Sequence, residues 1–480
     1  MIAMGITALR LALLAMLLAG TPLLVVFAAA PRAPWPKRLS AAGLLSVGLV
    51  LAVALGLHVA NVPITAVSLG GAHVSLFAIA LLTAHSHSRH GRLKAGLQTP
   101  QNAKIPVRGP GFIRNPRGWY ANMANGRLFS VLRPPTSVLL PLAILLLLLF
   151  PWTHFTGIDT YKWQDLATSV RMEQSLPWVV HPLSLPGFTP RAYPPAHPVL
   201  LATVQIVGDL GVEGGFAVVS FFVALLGIAT ATRLAGCVFP ARVALAAGLL
   251  YGFSPVFMRY AHWATGRGLF LAIFPTFIAL LIEPGATGTL ATRGSVRKTV
   301  GDRRKKTEFK GTFVGIRRAL ALLLVGMLLV LTHKVALVAV PLVLVAAVAA
   351  GCMPRRLPVA VRAGITLPFL LAAAAMVTPA LLPGMAGLPG GLARTGIARF
   401  GWMLPFALAG LWFAPSVAGR MPSYAGRLLF LCALPALPLA FERQMYGALY
   451  ALPFVCLFTV DGFQALVARM SPVRRIWCIR

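Results

Sequence analysis

The sequence predicts an all-α, polytopic membrane protein with about 13 transmembrane helices and an outer-face loop carrying amphipathic juxtamembrane helices. Three observations predict it. Hydrophobic residues make up 58% of the 480 and charged residues only 11%, more apolar surface than a soluble domain can cover. Apolar runs near the roughly 20 residues that cross hydrocarbon recur along the chain. The 43 Lys and Arg, against 10 Asp and Glu, gather in a few loops beside those runs, as the positive-inside bias places them.

Residues 1–84 hold three N-terminal spans, Thr7–Ala29, Ser40–Ala60 and Val62–Thr83. The first has Arg10 and an AAAP end in the manner of a signal peptide, but its apolar run is about twice a signal core, so it is expected to be retained. Asn61 and Pro63 mark the turn between the second and third. Residues 85–135 form a basic loop, with nine Lys/Arg and no acid between His85 and Arg133, expected in the cytoplasm against anionic head groups. Its His85, His87 and His90 have no Cys or carboxylate nearby and read as solvated rather than as metal ligands.

A fourth span, Thr136–Pro151, opens region 136–480 and leads to a loop over 153–213 with five acidic and three basic residues, which places the loop outside. The chain then crosses at Gly214–Thr232, Val243–Ser254 and Gly268–Glu283 to reach a second basic loop, 284–318, with ten Lys/Arg against two acids. Three crossings join the two loops, so the short apolar segment Val199–Val207 is expected to be re-entrant or interfacial rather than a fourth span. A hairpin of short spans turns outside at Thr332, His333 and Lys334 and lands inside at Arg355 and Arg356. Ile365–Leu382, Gly401–Pro415, Leu428–Leu439 and Leu452–Val467 complete the set before the basic tail at Arg474, Arg475 and Arg480. This parity puts the N-terminus outside and almost every charge at a loop or a helix end.

Several function classes are excluded. No G-x-x-x-x-G-K-[ST] phosphate loop and no strand-borne G-x-G-x-x-G is present, so ATP hydrolysis and dinucleotide chemistry are not expected. The net charge of +33, RRKK at Arg303–Lys306 included, reads as a topology signal and lipid contact; nucleic acid is not expected as a partner. Cys237, Cys352, Cys432, Cys456 and Cys478 are scattered with no C-x-x-C pair, so neither a structural disulfide nor a cysteine metal site is expected.

Chemistry concentrates between Gly157 and Pro198. Asp159 follows a span directly, at the depth where partial desolvation raises the basicity of a carboxylate, and it begins an amphipathic helix with Tyr161, Leu166, Ala167 and Val170 apolar and Lys162, Gln164, Asp165 and Arg171 polar. It reads equally as a general base and as a helix N-cap. Asp165, Ser169 and Glu173 share a helix face, either binding a cation or acceptor hydroxyls or forming a solvated row paired with Lys162 and Arg171. His154, His181 and His197 lie in the same loop, as proton relays or as packed side chains.

Gly157, Asp159 and Tyr161 after a span, a surface helix, and Tyr193, Pro194, Pro195, His197 and Pro198 entering an apolar helix together resemble the GT-C superfamily of membrane glycosyltransferases. GFSPVFMRYAHWATGRG (Gly252–Gly268), THKVA (Thr332–Ala336) and FERQMYGALYALP (Phe441–Pro453) resemble later outer loops of such enzymes, and the resemblance covers roughly Thr136 to the C-terminus. It implies a catalytic region over 136–480, with 153–213 as the catalytic loop, and transfer of a sugar from a polyprenyl-phosphate or diphosphate donor to a glycan, lipid or protein acceptor. It implies that Asp159 is the catalytic carboxylate, as base or as metal ligand, working on the extracytoplasmic face of the plasma membrane. No Asp or Glu lies between Phe216 and Ile282, where many relatives carry a second carboxylate. No metal site or cofactor is therefore expected, although Asp159 alone leaves a divalent cation open.

A lipid phosphate that develops charge as the glycosidic bond breaks needs cations. Arg259, His262, Arg267, Lys334 and Arg443 are the outer candidates, with Arg443 and Arg267 first because a guanidinium makes bidentate phosphate contacts. Tyr161, Lys162, Asp165, Glu173, Tyr193 and His197 complete the expected substrate-binding set. Any one arginine could instead anchor to head groups. The competing reading is a lipid-linked saccharide transporter or flippase without catalysis, which would be expected to carry repeats and ionisable residues within its spans.

Overall fold

The computed structural model describes residues 9–10, 12–15, 17–18, 22–23, 25–26, 33–76, 78–79, 158–179, 187–188, 193–263, 265–283, 302–353, 364–369, 371, 399–413, 423–440 and 446–470. Nearly all are helical. The helices are α1 (Trp35–Val59), α2 (Ala66–Leu76), α3 (Ile158–Glu173), α4 (Ala196–Gly208), α5 (Val212–Ala235), α6 (Ala241–Gly252) and α7 (Pro255–His262). They continue as α8 (Gly266–Ile282), α9 (Asp302–Thr332), α10 (Ala336–Cys352), α11 (Met403–Phe413), α12 (Tyr424–Leu439) and α13 (Tyr446–Met470). A two-residue antiparallel ladder, β1 (Trp178–Val179) with β2 (Gly187–Phe188), lies between α3 and α4.

Trp35–Val59, Val212–Ala235 and Tyr446–Leu466 are long and apolar enough to cross a membrane, and α6 with α7, bent by 58°, make a fourth if they are one span. The expected thirteen are not reached among the described residues. One reason is length: α8, α10 and α12 have 17, 17 and 16 residues, about 24–26 Å of helix against a hydrocarbon thickness of about 30 Å. Each also holds a proline, at Pro275, Pro341, and Pro435 with Pro438, where the helical hydrogen-bond ladder is interrupted. Another is that Thr136–Pro151, most of Ile365–Leu382 and much of Thr7–Ala29 lie outside the described residues. This inventory of apolar helices suits an integral membrane protein. The basic segment expected as a loop is helical from Asp302 and runs unbroken into α9, because its Arg, Lys and Glu residues are good helix formers.

Helix ends fall into two groups. At one end the α1–α2 turn, with Asn61 at φ 54°, meets the end of α3 through Ile64 N–H donating to Gln174 O (2.7 Å). Arg10 pairs with Asp209, the left-handed residue (φ 50°) that closes α4. At the other end Lys37 and Arg233 both donate to Glu283, at 2.7 and 2.9 Å, and Arg233 also reaches Ser40 Oγ. Arg318 donates to the last carbonyls of α8, Leu280 O and Leu281 O, both at 2.7 Å, and Arg427 to Ala350 O near the end of α10 at 2.8 Å. Cations here satisfy the free carbonyls and the negative pole of helix C-termini.

α4 starts and finishes at the first end. It is buried nearly throughout, packed among α1, α3, α5, α8 and α9, and spans only 13 residues. Its length agrees with the short apolar segment expected there. α11 and α13 approach through glycines: a Cβ on Gly410 or Gly462 would run into the backbone of the other helix. Asp461 lies within the candidate span Tyr446–Leu466 and is fully buried, an exception to the expected placing of almost every charge at a loop or a helix end; it adjoins Gly462, which meets α11.

Burial opposes ionisation of Glu283, but Arg233 and Lys37 outweigh it and hold the carboxyl below its usual range. A depressed folded pKa adds stability that is complete above the unfolded value of about 4.3 and is lost as pH falls toward the folded one. Glu283→Gln is expected to lower stability at pH 7 by about 1–3 kcal/mol, and to flatten the acid side of a plot of thermal midpoint against pH.

Candidate functional site

At the first end α3, the Tyr193–Pro194 entry to α4, the start of α8, the α9–α10 turn and the α12–α13 junction enclose a cavity of about 650 Å³. Its floor and walls divide by chemistry. Arg267, Lys334 and His333 bring donors; Trp163, Tyr193, Tyr446 and Tyr450 bring rings; Val338, Ala339, Leu342 and Leu439 bring aliphatic surface. Lys334 opens the α10 side and Leu342 lies eight residues on, about 12 Å further along the helix direction. Val338 is 69% exposed as well as lining the cavity, so this wall also faces the surroundings of the helix array.

Arg267 is the second residue of α8. Its guanidinium stands over two rings, 5.4 Å from Tyr260 and 5.5 Å from Tyr446, contacts that fix its plane. The N-cap of that helix, Thr265, gives no side-chain hydrogen bond to the first turn, so backbone N–H groups and the positive helix pole add to its charge. His333 packs on Tyr446 (5.8 Å) and Phe270 (6.5 Å) and accepts from Val335 N–H at Nδ1 (3.2 Å). Burial, then the neighbouring Arg267 and Lys334, push its pKa down to about 3. The ring is therefore neutral near pH 7, and with Nδ1 accepting, Nε2 carries the proton and is a donor.

Trp163 is the hub on the α3 side. Its indole meets Tyr193 (5.3 Å) and His197 (5.4 Å) edge-on, while Thr160 one turn earlier donates to Trp263 O at 3.3 Å. Gly266 fits between this indole and the Thr332 carbonyl; a Cβ there would lie 2.8 Å from the ring. Only glycine lets α3, α8 and the α9–α10 turn close on one point.

Of the expected residues the structure brings Tyr193, Arg267 and Lys334 to the cavity, with His197 directly behind Trp163. His197 is fully buried, and burial lowers its pKa to about 3. Asp159 is helical and one turn before Trp163; its side chain lies outside the described residues, as does Arg443 altogether. Tyr161, placed on the apolar face by the sequence, is 55% exposed. The buried face is instead Thr160, Trp163, Gln164, Leu166, Ala167 and Val170, because the helix rolls to bury the larger indole. Lys162 is half-buried and outside the cavity lining. Asp165 and Glu173 are exposed, and Ser169 between them bonds back to Asp165 O, so this row is a solvated face. Arg259 is exposed over Trp263 at 4.4 Å and His262 packs edge-on to Phe216 at 6.4 Å; neither lines the cavity.

Trp163, His333, Tyr446 and Tyr450 were not singled out from the sequence. The i, i+4 spacing of Asp159 and Trp163 carried a signal for the first. The other three lay inside quoted outer-loop segments. Among the described residues no group of three His, Cys, Asp or Glu comes together as a metal site. No protein-family model matches this chain, and no characterised protein or solved structure matches it either.

Proposed function

We propose that the cavity binds a polyprenyl-phosphate or diphosphate-linked sugar and that the protein is a GT-C-type glycosyltransferase acting at the extracytoplasmic face of the plasma membrane. The observation that carries this reading is the order of chemistry along one wall: Arg267, Lys334 and the His333 donor at the head, then Val338 and Leu342 descending α10 where Val338 is exposed. A phosphate fits the head and an isoprenoid chain fits the descent, so the donor enters sideways from the bilayer.

In this mechanism Asp159 takes the proton of an acceptor hydroxyl, whose oxygen attacks the anomeric carbon. The bond from that carbon to the phosphate oxygen breaks with inversion, and the departing lipid phosphate is held by Arg267 and Lys334. Asp159 precedes Trp163 by four residues in α3, and that spacing supports the role. Metal-free transfer is part of the proposal, since residues 216–282 bring no second carboxylate.

The test is purified protein in lipid vesicles, supplied with labelled polyprenyl-linked sugars and a panel of glycan, lipid and peptide acceptors. Label is expected to leave the carrier at a rate that EDTA does not change. Carriers that remain intact with every acceptor but equilibrate between leaflets would establish the transporter reading instead. One observation keeps that second reading in view, the buried Asp461 inside a span. It lies 11 residues beyond Tyr450, about 17 Å along the helix from the cavity.

A further inference from the structure

Trp163 separates the cavity from a polar group that has nothing to bind. His197 is fully buried at the second position of α4, edge-on to the indole at 5.4 Å, and among the described residues neither ring nitrogen has a hydrogen-bond partner. Leaving buried donors and acceptors unmet costs about 1–3 kcal/mol for each group, and folded proteins nearly always avoid it. Two further buried oxygens without partners adjoin the same junction in the chain, Gln164 Oε1 next to Trp163 and Thr265 Oγ1 next to Gly266. Of these, His197 is the one in direct contact with an aromatic ring of the cavity wall.

We propose that Trp163 and His197 form a saccharide subsite, in which the indole turns as the ligand enters and sugar hydroxyls bind the His197 nitrogens. The chemistry selects the ligand class. A neutral imidazole offers one N–H donor and one lone-pair acceptor. A hydroxyl satisfies either; a phosphate monoanion matches the acceptor side poorly, and an ammonium group cannot accept at all. Arg267 and Lys334 already serve the anion elsewhere on the wall. Trp163 and Tyr193 add ring surface with an apolar face, which suits the C–H face of a sugar ring. The subsite rests on the lipid-linked sugar reading above and makes His197 its discriminating residue, the group by which a glycosylated carrier is told from a bare one.

The experiment compares binding of radiolabelled polyprenyl phosphate, bare and carrying one hexose or pentose, to the full chain in nanodiscs. Wild type is expected to hold a glycosylated form about tenfold more tightly than the bare phosphate. His197→Phe keeps an aromatic ring against Trp163 but removes both nitrogens; it is expected to erase that advantage and leave bare-lipid affinity within about twofold. His197→Asn, which restores a donor and an acceptor, is expected to recover part of it. Retention of the full advantage by His197→Phe overturns the subsite, as does equal loss for both lipids that Asn does not repair. Binding of bare lipid by wild type with no sugar advantage removes the subsite alone. No binding of either lipid overturns the amphiphile reading beneath it as well.

Discussion

Asp159→Asn is expected to lower the rate of sugar transfer by about 10²–10⁴-fold, the range that a positioned general base contributes. The amide has the shape of the carboxylate and keeps any helix-capping hydrogen bond it accepts, but it cannot take the acceptor proton. The loss should therefore fall on kcat, with donor KM and thermal midpoint nearly unchanged. Asp159 lies inside α3 rather than at its N-cap; a role confined to the helix pole gives the reverse, full transfer and at most about 1 kcal/mol of stability lost. Asp165→Asn and Glu173→Gln are the controls. Both residues are exposed on the row that faces away from the buried side of α3, so their replacement is expected to leave transfer within about twofold. Transfer that survives Asp159→Asn and fails on Asp165→Asn would move the catalytic role to the outward row and with it the acceptor.

Much of the arrangement at the cavity was legible because it follows from charge and length. Charge and parity put the segments that hold Tyr193, Arg267, Lys334 and Tyr446 on one expected side, and the structure joins these residues around one cavity, while Lys37, Arg233 and Glu283 meet at other helix ends. The brevity of Val199–Val207 likewise matches α4, a helix of only 13 residues. What pattern could not supply was rotation and contact. An amphipathic helix with both Tyr161 and Trp163 has two ways to roll, and the choice is made by the slot that Gly266 and Tyr193 leave for an indole. A carboxylate in an apolar run such as Asp461 is legible only as an exception, and the glycine approach beside it joins segments more than 45 residues apart in the chain. Thirteen spans are not reached among the described residues for a related reason. Hydropathy counts apolar stretches, whereas Pro275, Pro341 and Pro435 interrupt helices that are already too short to cross at right angles to the bilayer.

Arg267→Gln is expected to cost about 10²–10³-fold in kcat/KM, the effect of deleting one preorganised donor at a developing anion. The guanidinium is held over Tyr260 and Tyr446 at the start of α8, so it does not reorganise as charge moves onto the lipid phosphate. Stabilisation is then greater in the transition state than in the bound donor, and kcat should fall more than KM rises. Arg267→Lys separates charge from geometry: the ammonium keeps the charge but neither spans both rings nor binds two phosphate oxygens at once, so activity is expected between wild type and Gln. Lys334 is exposed at the cavity edge, where solvent screens it, and Lys334→Gln is expected to act mainly on donor affinity in low salt. The measurement is steady-state transfer together with binding of bare polyprenyl phosphate. Equal binding and transfer in wild type and Arg267→Gln would reduce the arginine to a clamp between two tyrosines and leave the leaving group to Lys334 and the α8 N–H groups.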